Sequence, residues 1–189
     1  MEQQNKCIRL AADLQTDSIV DGPGLRAVLW TQGCTHHCKG CQNPQTWDME
    51  AGALVPIEMV KEAIDELEYH DGITFSGGDP MYQVEACNEI ADYAISKGLN
   101  IWVYTGFTYE ELLEMSKKKK IYKEFLNKID VLVDGKFILE QRDLSLLFRG
   151  SSNQRLIDMK KTLKRGEIIL FDEDEYNEVN KYKKEKIYI

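Results

Sequence analysis

The sequence has no fourth cysteine near the three that crowd between residues 34 and 41. Structural zinc sites and ferredoxin-type clusters draw on four ligands, usually from paired cysteine motifs. This spacing therefore leaves one coordination position to something other than a nearby thiol. Also missing are an apolar run of membrane-spanning length and a basic-then-apolar leader in Met1-Glu2-Gln3-Gln4-Asn5-Lys6, which predicts a cytoplasmic chain. Basic residues are in deficit. A formal net charge of −8 speaks against a general binder of nucleic acid or of a membrane surface, because both partners are anionic; a small nucleotide-like ligand in a local pocket stays open. No Ser, His and Asp arrangement stands out, no repeat is visible and no linker divides the chain. One domain over residues 1–189 is expected, with a charged tail from about residue 172.

What is present is Cys34-Thr35-His36-His37-Cys38-Lys39-Gly40-Cys41, directly after the apolar run Ala27-Val28-Leu29-Trp30. Three thiolates on a cubane iron–sulfur cluster leave one iron open to an outside ligand, and an open iron allows chemistry at the cluster itself. The competing reading is a zinc site with His36 or His37 as fourth ligand. Adjacent residues inside one tight loop are poorly placed to close a tetrahedron. Cys7 and Cys87 fit no cluster spacing. Cys87 falls in line with Val84, Ile90, Ala91 and Ala94 on a helical face, where a small thiol packs well. With no secretion signal, all five cysteines are expected to be reduced.

The periodicity alternates strand and helix. Arg26 to Thr31 is a continuous branched and aromatic run, the pattern of a strand buried on both faces. Pro56 is placed to start a helix carrying Ile57, Val60, Ile64 and Leu67. A strand over residues 72–76 runs into Gly77-Gly78-Asp79-Pro80, and a helix from about Tyr82 to Lys97 stops at Gly98. Leu99 to Tyr104 is the next strand, and Thr108 with Glu111 fits a capping box for the following helix. Lys117 to Lys120 is a solvated helix end. Ile129 to Val133 is a further strand, ending at Asp134-Gly135-Lys136. Beyond residue 149 the pattern weakens; Arg149 to Arg155 is polar and turn-rich, and residues 168–171 are expected to add a last strand.

Such alternation predicts a mainly parallel sheet with right-handed crossovers, and ligand chemistry at the carboxyl ends of its strands. Four such ends carry the cysteine loop, Gly77-Gly78-Asp79, Thr105-Gly106 and Asp134-Gly135-Lys136. A full eight-stranded barrel takes about 250 residues. The expected fold is therefore α/β, an incomplete TIM-like β/α barrel.

Three stretches carry a resemblance: Val20-Asp21-Gly22-Pro23-Gly24-Leu25-Arg26, then Gln32-Gly33-Cys34, and finally Asn43-Pro44-Gln45-Thr46-Trp47-Asp48. With Ser76-Gly77-Gly78-Asp79-Pro80, they resemble the radical S-adenosylmethionine superfamily, and within it the glycyl-radical-enzyme activases. Gly40 and Asp79 stand where activases of pyruvate formate-lyase usually carry an aromatic residue and Glu. Together with Val133-Asp134-Gly135-Lys136-Phe137 and the stretch from Phe148 to Arg155, they are similar to the branch that activates anaerobic ribonucleotide reductase. The resemblance spans roughly residues 13–157.

The resemblance implies a 4Fe–4S cluster on Cys34, Cys38 and Cys41, with the amine and carboxylate of S-adenosyl-L-methionine chelating the fourth iron. It implies reductive cleavage to a 5′-deoxyadenosyl radical and hydrogen abstraction from a glycine of the partner. Gly77, Gly78 and Asp79 are then expected at the methionyl group, their glycine backbone approaching closely for want of Cβ atoms. Gly40 and Gln42, flanking Cys41, are expected to border the adenine. Asp134, Gly135 and Lys136 are placed to reach the ribose hydroxyls or the methionyl carboxylate, although an Asp-Gly pair is also a common turn. Arg149 to Arg155 suits ligand binding, partner docking or a plain surface turn, and the three histidines suit structural or exposed roles. The implied partners are the glycyl-radical subunit of anaerobic ribonucleotide reductase and a low-potential electron donor such as flavodoxin. Activation of another glycyl-radical enzyme, a small-molecule radical reaction and a non-catalytic zinc module are the alternatives.

Overall fold

The computed structural model describes residues 6–174 and residue 176. In chain order its strands are β1 (Cys7–Leu10), β2 (Gln15–Ser18), β3 (Arg26–Thr31), β4 (Ala53–Pro56), β5 (Gly72–Gly77), β6 (Asn100–Tyr104), β7 (Val131–Asp134) and β8 (Arg155–Asp158). They form one sheet in the order β4-β1-β3-β5-β6-β7-β8, with β2 paired to β3 off that path. The central four, β3, β5, β6 and β7, are parallel. Antiparallel strands flank them: β1, β2 and β4 on one side, β8 on the other. The parallel strands are continuous apolar runs because both their faces are covered; Val28, Leu29, Ile73, Phe75, Ile101 and Val103 are all fully buried.

The helices are α1 (Ile57–Asp65), α2 (Val84–Ser96), α3 (Tyr109–Lys118), α4 (Lys120–Leu126) and α5 (Met159–Arg165). Pro56 occupies the N-cap of α1, and that helix turns Ile57, Val60 and Ile64 inward. Helix α2 buries Val84, Cys87, Ile90, Ala91 and Ala94 and ends before Gly98, whose φ of +83° is easy only for glycine. Thr108 and Glu111 make the expected capping box on α3.

The expected α/β class and mainly parallel core are observed, and, as expected, the sheet does not close into a full barrel. The sheet is open, since its outer strands β4 and β8 do not pair with each other. Three parallel pairings, β3–β5, β5–β6 and β6–β7, are too few βα units to curl the sheet through a circle. Two local expectations change. Lys119 breaks the charge run, and Lys120 opens the separate helix α4. Residues 168–171 contribute only an isolated bridge, Leu170 to Ile157, and the last strand is β8 instead. Asp172, Glu173 and Asp174 of the charged tail are described; residues 175 and 177–189 lie outside the described residues.

At the amino end of β3, Arg26 is fully buried. It donates to Thr74 Oγ1 (2.7 Å), Asn100 Oδ1 (2.7 Å) and the Ile73 carbonyl (3.0 Å), tying β3 to β5 and β6. Its guanidinium lies 5.5 Å from the Trp102 ring centroid. Burial pushes its pKa down to about 10. The arginine of the 20–26 stretch thus braces the sheet at the end away from the thiols.

Candidate functional site

A cavity of about 520 Å³ opens at the carboxyl ends of the parallel strands. That volume lies within the usual range for a small-molecule site. Cys34, Cys38 and Cys41 line it, and so do Gly77 at the end of β5 and Gly78 after it, Thr105 and Gly106 after β6, and Gly135 after β7. The convergence expected of four strand ends is therefore present.

The three spacer residues between Cys34 and Cys38 are each held by a protein group. Thr35 Oγ1 hydrogen-bonds the Tyr82 hydroxyl. His36 Nε2 lies 2.8 Å from Asp79 Oδ2, and its ring meets Phe107 edge-on at 4.6 Å. His37, at φ +48°, packs edge-on against Trp47 at 4.8 Å. Backbone bonds fix the root of the loop: the Gly33 N–H donates to the Thr46 carbonyl (2.8 Å) and the Cys34 N–H to the Trp47 carbonyl (3.1 Å). The Asn43 N–H donates to Cys41 Sγ at 3.4 Å. The spacer is thus fastened by side-chain contacts on both sides of the loop, and the three cysteines line the cavity together with His36.

This donor set fits a cluster better than a single ion. Among the described residues, no three His, Cys, Asp or Glu side chains converge as a mononuclear metal requires. Zinc needs its ligands about 2.0–2.3 Å from one point, whereas each thiolate on a cubane binds its own iron. His36 holds Asp79 through Nε2, and no second His, Asp or Glu among the described residues joins the thiols around one point. Burial pushes the Cys34 thiol up to about 11 and raises that of Cys38; a coordinating cation acts the other way, holding the thiolate form. Two further buried donors, Trp47 Nε1 and Arg149 Nε, find no acceptor in the protein, and both residues line the cavity. Leaving such a group unsatisfied costs about 1–3 kcal/mol. Both observations suit a ligand rich in acceptors, such as a sulfide cluster or a carboxylate.

The glycine motif is interlocked with the root of the cysteine loop. A Cβ at Gly78 would stand 2.4 Å from the Gly33 carbonyl oxygen, and one at Gly77 (φ +99°) 2.6 Å from that of Thr31. The Gly78 N–H donates to the Thr31 carbonyl (2.7 Å) and the Asp79 N–H to that of Gly33 (2.9 Å). These glycines are thus required by backbone contact as well as by their place on the cavity wall. Asp79 is fully buried and does not line the cavity. Its carboxylate accepts from the Met81 N–H (3.0 Å), the Thr105 hydroxyl (3.0 Å) and the Gly106 N–H (2.9 Å), besides its contact with His36.

The remaining expected residues divide. Gln42 and Gly135 line the cavity; Gly40 does not. Gly40 has φ +75°, and a Cβ there would meet Leu139 at 2.9 Å. Asp134 and Lys136, expected to reach the ligand, are not on the wall. The buried Asp134 carboxylate accepts from Arg155 Nε (3.0 Å) and Nη2 (2.5 Å) and from the Tyr109 N–H (2.7 Å). It is a structural clasp between β7, β8 and α3. The sequence reading missed the apolar wall of Trp30, Tyr104, Phe137 and Phe148, together with Gln154. Phe137, Phe148 and Gln154 fall within stretches that the resemblance marked, but nothing in their spacing shows that they face a ligand.

The family described as "4Fe-4S single cluster domain" matches residues 20–157. The anaerobic ribonucleoside-triphosphate reductase-activating protein of Haemophilus influenzae is 39% identical over 144 residues, covering 72% of this chain and 89% of that protein. The protein of the same name from Enterobacteria phage T4 is 36% identical over 145 residues, covering 72% and 86%. Among solved structures, the crystal structure of QueE from Escherichia coli aligns with a TM-score of 0.40 at 17% identity, over 54% of this chain and 53% of that one.

Proposed function

From the premise that this chain belongs to the anaerobic ribonucleoside-triphosphate reductase-activating proteins, we propose that Cys34, Cys38 and Cys41 hold its 4Fe–4S cluster and that Gly77 and Gly78 receive the methionyl end of S-adenosylmethionine. When bound, the cluster supplies the electron that cleaves S-adenosylmethionine to a 5′-deoxyadenosyl radical, which generates the glycyl radical on the reductase. The chain is accordingly an oxidoreductase of the radical S-adenosylmethionine type. The polypeptide's task is to hold and orient these groups and to exclude water.

The carrying observation is that three thiols share one cavity wall with the glycine motif while their spacer residues are bound into the protein. Gly77 offers backbone without a side chain at the place where the ammonium would lie, Gln42 and Gly135 border the nucleoside, and Trp30, Phe137 and Phe148 keep the interior dry. Asp79 and Gly40 support the site from behind its wall. The open parallel core of four strands serves as a partial barrel, which leaves the partner to close the mouth with its glycine-bearing segment. A low-potential carrier such as flavodoxin delivers the electron.

The test is anaerobic reconstitution, iron and sulfide analysis, and electron paramagnetic resonance. The expected result is a cluster, slow cleavage of S-adenosylmethionine by the reduced protein alone, and a stable glycyl signal when the reductase is added. A glycyl signal only on pyruvate formate-lyase would overturn the named substrate. Zinc without any cluster would overturn the reading altogether.

A further inference from the structure

Two loops at the mouth of the cavity carry large apolar side chains into solvent. One is the turn after β2, where Ile19 and Val20 are 71% and 70% exposed. It is not a loose end: Ser18 Oγ donates to Asp21 Oδ2 across it at 2.5 Å, and Thr74 Oγ1 donates to the Asp21 carbonyl at 2.7 Å. The other runs over residues 143–150. Its base is closed by the bridge between Arg142 and Ser151 and by the bond from the Asp143 N–H to the Gly150 carbonyl (3.3 Å). Leu144 on this loop is 84% exposed, and Tyr104 pins the loop by donating to the Phe148 carbonyl at 2.8 Å. Ile19, Val20, Leu146, Leu147 and Phe148 all line the cavity.

Exposed apolar side chains clustered on rigid supports mark a surface that is covered in use. Leu144 stands off the cavity wall, so a ligand lying within the cavity does not cover it; only something that extends out past the mouth does. Arg149 on this wall is paired with Glu173 at 2.5 Å, whereas Asp21 is hydrogen-bonded to the neutral Ser18 hydroxyl and keeps its charge, which disfavours an acidic visitor at the Ile19-Val20 turn.

We infer that the Ile19-Val20 turn and the 143–150 loop form an apolar clamp that grips the partner polypeptide on either side of its target glycine. This rests on the function proposed above and assigns its protein substrate a contact surface. The occupant is an extended segment of the reductase with apolar side chains flanking the glycine. The tips are continuous with the wall that the glycine must reach, so the segment that enters the cavity is also the one that covers them. Because the grip is apolar, it is insensitive to salt.

The experiment measures anaerobic binding of the reductase to the cluster-loaded protein by calorimetry, with Val20→Asp, Leu144→Asp and the control Met59→Asp. Met59 is 57% exposed on α1 and lines no part of the cavity. The expected result is at least a tenfold rise in Kd for the first two variants, none for the control, and recovery in Val20→Ile and Leu144→Met. Unchanged reductase affinity in Val20→Asp and Leu144→Asp overturns the inference. So does sedimentation showing that these variants dissolve a self-association while reductase affinity is unaltered, because the face then belongs to a second copy of the chain. If the unaltered protein places no glycyl signal on the reductase, the proposed function fails on its own account; if it does so while both variants bind normally, only the clamp fails.

Discussion

Replacing Asp79 with Ala tests whether the cavity is held together from behind its wall. The carboxylate accepts from two backbone donors that cannot rotate away, the N–H groups of Met81 and Gly106, and from the more adaptable Thr105 hydroxyl and His36 ring. Stranding a buried amide costs about 1–3 kcal/mol, so the two fixed donors alone amount to about 2–6 kcal/mol. Total stabilities of folded domains are about 5–15 kcal/mol, which makes the loss a large fraction of the whole. Asp79→Asn keeps the shape and one acceptor oxygen, and His36 can take the tautomer that accepts. One donor-to-donor conflict then remains, worth about 1–3 kcal/mol. The assay is urea unfolding of the cluster-free protein, followed by circular dichroism, with iron and sulfide content after anaerobic reconstitution as a second readout. The expected order of both quantities is wild type, then Asn, then Ala. An Ala variant within about 1 kcal/mol of wild type, with full cluster content, would refute the assignment of Asp79 as the support joining the cysteine loop to β5 and β6.

Two further outcomes are expected. Cys34→Ala, Cys38→Ala or Cys41→Ala should abolish cluster binding, whereas Cys87→Ala, at a fully buried site packed in α2, should retain the cluster and lose only about 1 kcal/mol of stability; loss of iron in folded Cys87→Ala would contradict the ligand set. The hydrogen bond from Arg155 holds the Glu110 carboxyl down at about 2, against an ordinary 4.5. A lowered carboxyl pKa stabilises the fold above about 4.5, and that contribution fades as pH falls through about 2. Glu110 is more than half exposed, so Glu110→Gln should lower stability by less than about 1 kcal/mol at pH 7, and the gap to wild type should narrow on acidification in urea melts; a gap that widens would exclude the ion pair as its source.

The features legible in the sequence are those set by local chemistry. Arg26 to Thr31 appears as a strand with the bounds read from its apolar run, Pro56 opens α1, Thr108 and Glu111 cap α3, and Gly98 follows α2. The thiol spacing and the glycine motif likewise lead to one cavity. What escaped depends on partners distant in sequence. Strand β8 begins with Arg155 and looks like the end of a polar turn until Asp134, 21 residues earlier, is found to accept its guanidinium. The same pair explains why Asp134 looked like a ligand, since an Asp-Gly dipeptide is the same string whether its carboxylate faces a cavity or a buried arginine. Lys117 to Lys120 hid the break between α3 and α4 because charge reports exposure and says little about where a helix stops. His36 looked like an idle loop residue because its partner, Asp79, is 43 residues away.

The anchoring of Thr35, His36 and His37 bears on the order in which this protein is made. Each is fastened to protein, through Tyr82, Asp79 and Trp47 respectively, and none of these fastenings involves iron. Fixing a residue's backbone costs about 1–2 kcal/mol; for the spacer, that ordering is met by the polypeptide as it folds. In zinc fingers the metal must supply the ordering, and folding waits for it. Here the chain can finish folding first and receive its cluster afterwards, as a shaped receptacle. Maturation is then expected to be a delivery step to an already folded chain, which unchanged circular dichroism before and after anaerobic reconstitution would check.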